Sequence, residues 1–177
     1  VNTMRFSSFM IFLILFSCAQ EPIPEMQSRE GLPDQESWGV TIILTDKGLM
    51  RAKIRSGHLE KYNEKEFVLL DRDVTVDFFD DKEQHTSVLT SKTAEVDQAS
   101  NDMKALGNVV AVSDSGITLY SETLTWNSKD EKLHTKDNIM ITTLEKDTLY
   151  GVGFESDSDM KNWKILSPSG VTGREME

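Results

Sequence analysis

Apolar residues recur along this chain at a spacing of two, in short runs separated by polar turns. Ala94 and Val96 alternate with Glu95 and Asp97, and Leu124 and Trp126 alternate with Thr125 and Asn127. Val109 and Ala111 share the phase of Ile139 and Ile141. Period two over short runs predicts half-buried β-strands, and no stretch combines helical length with helical period. The pattern also repeats as a whole. Leu89, Leu119 and Leu149 open three units 30 residues apart, as Leu89-Thr90-Ser91, Leu119-Tyr120-Ser121 and Leu149-Tyr150-Gly151. Five positions after each leucine stands Ala94, Leu124 or Phe154, then a polar turn, then Met103, Leu133 or Trp163. The first two units close on Gly107-Asn108-Val109-Val110-Ala111 and Asp137-Asn138-Ile139-Met140-Ile141, and the third is expected to stop near Ile165. A looser fourth copy precedes them: Val68, Leu70, Val74 and Val76 sit 35 residues before Met103, Ala105, Val109 and Ala111. The extra residues fit a charged hairpin tip at Phe79–Gln84. Self-similarity at a fixed period marks a supersecondary unit stacked on copies of itself.

Ahead of the repeats, Trp38, Val40, Ile42 and Leu44 fall on one face of a strand. Asp46-Lys47-Gly48 reads as a hairpin turn, and Met50, Ala52 and Ile54 continue the alternation beyond it. The first residues read differently. Arg5, an apolar run from Phe9 to Phe16 and a small residue before Cys18 describe a secretory signal, too short for a spanning helix. The ending on Cys18, the chain's one cysteine, resembles the bacterial lipobox, which implies a diacylglyceryl thioether on Cys18 as the first mature residue. A lone cysteine has no partner for an intramolecular disulfide. The segment after it is rich in Glu, Gln, Pro and Ser, and reads as an extended tether. The expected organisation is therefore a signal peptide over 1–17, a tether over 18–37, a β-domain over 38–166 and a C-terminal tail over 167–177. That tail reads as a loose end, or as a strand that orders against a partner.

The net charge is −11, and Arg5 is the one charged residue in the expected signal, so the mature chain is one unit more negative. Such acidity argues against nucleic acid and against adsorption to anionic headgroups, leaving Cys18 as the expected membrane attachment. Candidate chemistry is sparse. His58, His85 and His134 lie far apart without metal-ligand spacing, and they read as solvated strand residues. Asp157-Ser158-Asp159 hints at a calcium loop, but Met160 follows where the pattern continues otherwise, and the repeat aligns Asp157 with Asp97 and Asn127 in the same turn. No nucleophile elbow, phosphate loop or paired-carboxylate motif stands out, so neither an enzyme nor a bound cofactor or metal is expected.

The inward face collects Phe78, Val109, Leu119, Leu124, Trp126, Ile139 and Ile141 among others. These residues read either as a core filling its own gaps or as a trough for acyl chains in a roll that does not close. An unclosed array also leaves two edges, where Val40 and Ile42 at one end and Trp163 and Ile165 at the other are the candidate partner contacts.

Ala94-x-Val96-Asp97, a turn, and Met103-x-Ala105-x-Gly107-Asn108-Val109 resemble the OstA-like repeat of lipopolysaccharide-export proteins. So does Leu124-x-Trp126-Asn127 through Leu133 to Asn138-Ile139. One short β-domain of this kind behind a membrane anchor resembles the LptC family over roughly Trp38 to Ile165. The resemblance implies an all-β fold, a twisted and partly open antiparallel β-jelly roll. It implies as partners lipopolysaccharide (through its acyl chains), the inner-membrane lipopolysaccharide ABC transporter and an LptA-like periplasmic bridge protein. It also implies a place on the periplasmic side of the inner membrane. A lipobox stands where many relatives carry a transmembrane helix, and Ala19 after the cysteine permits transfer to the outer membrane by the enteric sorting habit. Two other readings stay open. One is a periplasmic lipoprotein carrier, which would want a lid helix; the other is a structural or adhesive β-solenoid, which would keep the repeat and lack the trough.

Overall fold

The computed structural model describes residues 31–169. Cys18, the signal and most of the tether lie outside the described residues, as does the chain after Ser169. Eleven strands follow in order: β1 (Gln35–Asp46), β2 (Leu49–Tyr62), β3 (Phe67–Asp71), β4 (Val74–Phe79), β5 (His85–Ser91) and β6 (Thr93–Asp97). The remaining five are β7 (Met103–Ser113), β8 (Thr118–Asn127), β9 (Lys132–Thr142), β10 (Thr148–Asp157) and β11 (Lys164–Ser169). All pairings are antiparallel. No helix occurs among the described residues.

The strands form one sheet bent along a line. β2 pairs with β4 through Ala52–Arg55 and with β3 through His58–Tyr62. β7 likewise pairs with β6 near Met103 and with β5 near Ala111. Each long strand thus contributes one half to each of two facing layers. The chain turns the corner at Gly39 in β1, at Gly57 in β2, between β3 and β4, between β5 and β6, and at the register skips of β7, β8 and β10. The halves face each other across the core, where the rings of Phe78 (β4) and Trp126 (β8) meet at 5.5 Å between centroids. The bend is why an apolar residue falls five positions after each repeat leucine. An uninterrupted strand would return to the same face after four or six residues, and the fifth marks one residue spent on the corner, as a bulge does.

The corner has its own chemistry. Ser56 Oγ donates to the His58 carbonyl at 2.8 Å, Ser91 Oγ to Thr93 at 2.9 Å, and Ser121 Oγ to Thr123 at 2.8 Å. Each hydroxyl satisfies a carbonyl where the ladder is interrupted. Gly151 stands at the equivalent place in the last unit because β11 passes close by: a Cβ there would lie 2.2 Å from Ile165 Cγ2 and 2.8 Å from the Ser167 carbonyl oxygen. Gly57 is needed for a similar reason, since a Cβ would meet the Arg72 Cβ and carbonyl oxygen, each at 2.8 Å. There the Gly57 N–H also donates to the Arg72 carbonyl at 3.0 Å.

The looser early copy is present as β2 with β3 and β4, and its extra residues form the β4–β5 hairpin. At that tip Asp80 Oδ1 accepts from the Lys82 and Gln84 N–H groups at 2.8 and 2.9 Å. The repeated polar turns are capped alike. Asp97 Oδ1 accepts from the N–H of Ala99 and Ser100, and Asn127 Oδ1 from Lys129 and Asp130. Asp157 Oδ1 accepts from the Asn162 N–H at 3.1 Å, so this aspartate caps a turn as its alignment with Asp97 and Asn127 predicted. Two strand limits differ from expectation. β1 starts at Gln35, and β11 continues to Ser169, where Tyr150 pairs with Ser169 and Gly151 with Pro168. The last unit therefore turns its corner instead of stopping at Ile165, because β10 offers an open edge on which the chain continues to pair.

Candidate functional site

The seven candidate trough residues all come together in the interior. Leu119, Leu124 and Ile141 are fully buried, Phe78 and Val109 are 1% exposed, and Trp126 and Ile139 are 3% and 4% exposed. They alternate along β4, β7, β8 and β9 and meet from both layers, packed with Leu70, Leu89, Met103 and Phe154. In this state other parts of the chain cover them.

What lies along the open side of the bend, opposite the corner, is more polar. Arg51 on β2 reaches across to the β8–β9 turn, where its Nε and Nη2 donate to the two carboxylate oxygens of Glu131, while Nη1 donates to Asp81 at 2.7 Å. The Arg51 side chain is 11% exposed, against 30% for Glu131 and 91% for Asp81. The hydrogen bonds to Glu131 hold the guanidinium above its ordinary range against the opposing effect of burial. Beside it Ser87 Oγ on β5 donates to the Ser158 carbonyl in the β10–β11 turn at 2.5 Å. The same turn drives Met160 fully into the interior, with a backbone φ of 55°. Hydrogen bonds thus seam the two layers shut along this side.

A cleft lies beside the seam. It has a volume of about 450 Å³ between the end of β1 and the β8–β9 turn, with Ile43, Leu44, Arg51, Asn101, Trp126 and Lys129 among its walls. Trp126 is the residue that links the cleft to the core. Its indole N–H is buried and has no acceptor among the described residues. An unsatisfied buried donor costs about 1–3 kcal/mol.

The candidate edge residues sit at the two ends of the sheet. Val40 and Ile42 lie on β1, which among the described residues pairs with β2 alone, and Ile165 lies on β11, which there pairs with β10 alone. Trp163 immediately precedes β11, and all four pack partly against the core. Trp38, expected on the face of Val40, Ile42 and Leu44, is instead 61% exposed, because the chain turns at Gly39 between them, and Ile43 and Leu166 are likewise exposed. Pro168 within β11 fits an edge, because proline in a sheet keeps its missing donor on the unpaired side.

The histidines depart from expectation in one case. His85 is partly exposed and pairs with Asp114 through Nδ1 at 3.0 Å. His58 is buried, because the Trp38 ring packs over it, tilted by 36° at 5.2 Å between centroids, and Asp71 accepts from Nδ1 at 2.9 Å. Both partners come from neighbouring strands, so the sequence carried no local sign of it.

The sheet is bent on itself and apolar between its halves, and among the described residues its first and last strands each pair on one side. The profile of the family described as "Lipopolysaccharide-assembly, LptC-related" matches residues 11–174. The chain belongs to that family. It is a periplasmic component of lipopolysaccharide transport and not an enzyme. No curated protein matches the sequence. Among solved structures, the chain is similar to the crystal structure of LptH from Pseudomonas aeruginosa, described as the LptA-homologous periplasmic component of the conserved lipopolysaccharide transport device. The two share 16% identity with a TM-score of 0.52, over 70% of this chain and 89% of LptH. At that identity the likeness establishes the fold, an OstA-type jelly roll.

Proposed function

We propose that this chain is a membrane-anchored link in lipopolysaccharide export, receiving lipopolysaccharide from the inner-membrane ABC transporter and passing it to an LptA-like bridge protein. The acyl chains lie between the two layers against Phe78, Leu119, Trp126 and Ile141. The observation that carries this reading is the apolar interior between the layers, which Trp126, itself part of that core, joins to the cleft at Leu44. Burial contributes about 25 cal/mol per Å² of apolar surface, and transfer along a path of graded affinity makes or breaks no bond. The layers are closed in the free chain, so loading parts the seam at Arg51 and Ser87. The transporter docks by strand addition on the β1 edge and the bridge protein on the β11 edge. Cys18 carries the lipid anchor that holds the chain at the inner membrane.

The test is purification of the full chain from native membranes in mild detergent, with mass spectrometry of bound proteins and lipids. Lipopolysaccharide and the transporter subunits are expected together. A chain that carries neither, or carries phospholipid alone, would contradict the proposal and return the carrier or β-solenoid readings.

A further inference from the structure

On the solvent side of the sheet, away from the interior, the register of β1, β2 and β3 gathers four ionisable side chains. Glu36 stands directly opposite Glu60, Trp38 opposite His58, and His58 opposite Asp71. One donor atom from each of Glu36, His58 and Glu60 lies within 4.8 Å of the other two. Like charges facing each other across neighbouring strands are destabilising. Yet among the described residues neither glutamate has a lysine or arginine in ion-pair contact. The polar contact made there is the Tyr62 hydroxyl, which donates to Glu60 Oε2 at 2.7 Å and still leaves both charges uncompensated.

His58 supplies the independent observation. Its side chain is 9% exposed, pinned under the Trp38 ring and held through Nδ1 by the Asp71 carboxylate. With the Nδ1 proton donated to Asp71, the neutral ring carries its lone pair on Nε2, which has no hydrogen-bond partner among the described residues. A carboxylate that fixes one ring nitrogen and so presents the other is the usual support of a metal-ligating histidine.

We propose that Glu36, His58 and Glu60 form a site for a divalent cation of the zinc class, with Asp71 positioning His58. The imidazole nitrogen selects a borderline-soft ion over calcium or magnesium, which prefer all-oxygen shells. Donors at ~2.0–2.1 Å from a zinc ion sit nearer to one another than 4.8 Å, and rotation of the partly exposed glutamate side chains supplies the contraction. Three protein ligands leave a fourth position for water or for a group from outside the chain. A cation held there ties the edge strand β1 to β2. The inference stands apart from the lipid-binding proposal and does not depend on it.

The experiment is titration of the full chain, purified without a histidine tag, with Zn²⁺ by calorimetry and with Co²⁺ by visible absorption. One ion per chain is expected, with no displacement by excess Mg²⁺. His58→Gln, and Glu36→Gln combined with Glu60→Gln, should each weaken binding at least ~10-fold, and Asp71→Asn should weaken it ~10–100-fold. Absence of saturable binding, or equal affinity in a folded His58→Gln chain, overturns the site. A check that needs no variant is the imidazole nitrogen spectrum of the unmodified chain. Zn²⁺ should shift His58 Nε2 first, whereas a response confined to His85 or His134 contradicts the assignment.

Discussion

Arg51 and Glu131 stand 80 positions apart in the chain, yet they form the bidentate pair that joins the two layers along their open side. The guanidinium is largely buried and Glu131 is partly so, whereas Asp81, the third member, is almost wholly in water. A desolvated partner matters more than a solvated one. Glu131→Gln should lower stability by about 1–2 kcal/mol, while Asp81→Asn should cost less than ~1 kcal/mol. Urea unfolding of the two variants checks the ranking. Since the pair closes the seam, Glu131→Gln should also take up lipopolysaccharide faster, and equal uptake would remove Arg51 from the gate.

The serine spine at the corner gives a second expectation. Ser91→Ala and Ser121→Ala each strip a hydroxyl from a carbonyl at the bend, and each should cost about 1 kcal/mol. Gly57→Ala should cost more, about 1–3 kcal/mol, because its methyl would collide with the Arg72 backbone and side chain. Denaturant melts of the three variants separate lost bonds from forced displacement.

Acid should loosen specific turns before the sheet. The N–H and hydroxyl of Ser100, with the N–H of Ala99, hold Asp97 below the usual carboxylate range, and the N–H groups of Gln84 and Lys82 do the same for Asp80. A depressed folded pKa stabilises fully above the unfolded value and fades as pH falls through the folded one. Protection of the Ala99, Ser100 and Gln84 amides, relative to their intrinsic exchange rates, should therefore fall below the usual carboxylate range and stay flat through neutral pH. In Asp97→Asn the acid-dependent step at Ala99 and Ser100 should disappear.

The β11 edge can be tested through its own proline. Lys164 and Leu166 share the ladder side of Pro168, whose missing donor faces away from β10. Lys164→Pro therefore removes an outward donor and leaves the pairing with β10 in place. Pull-down of an LptA-like protein should fall sharply while circular dichroism stays unchanged. Undiminished capture by the folded variant would move the docking surface elsewhere.

Strand periodicity, the repeat and the early copy with its inserted hairpin are all legible in the sequence, because inward residues at spacing two leave a direct trace. The trace also held the corner. Ile54 to Leu59, Leu89 to Ala94, Leu119 to Leu124 and Leu149 to Phe154 are each five apart, with Ser56, Ser91, Ser121 or Gly151 between them. A phase slip at a fixed small residue is the sign of a bend, and read as such it predicts two layers instead of one sheet. The Arg51–Glu131 seam and the Glu36–His58–Glu60 cluster left no such trace. Both depend on which turn faces which strand and on cross-strand register, and neither is a local property of the chain. The inward extension of Met160 was hidden for the same reason, in a turn whose polar neighbours suggested solvent.

Site-specific photo-crosslinking tests directly whether acyl chains lie between the layers. A crosslinking residue replacing Leu119, Trp126 or Ile141 should capture lipopolysaccharide in cells, while one replacing the outward Tyr120, Thr125 or Thr142 should not. Labelling from the inward positions alone is the predicted result. Equal labelling of both faces, or none from inside, would mean that the interior remains a packed core and that lipid travels elsewhere.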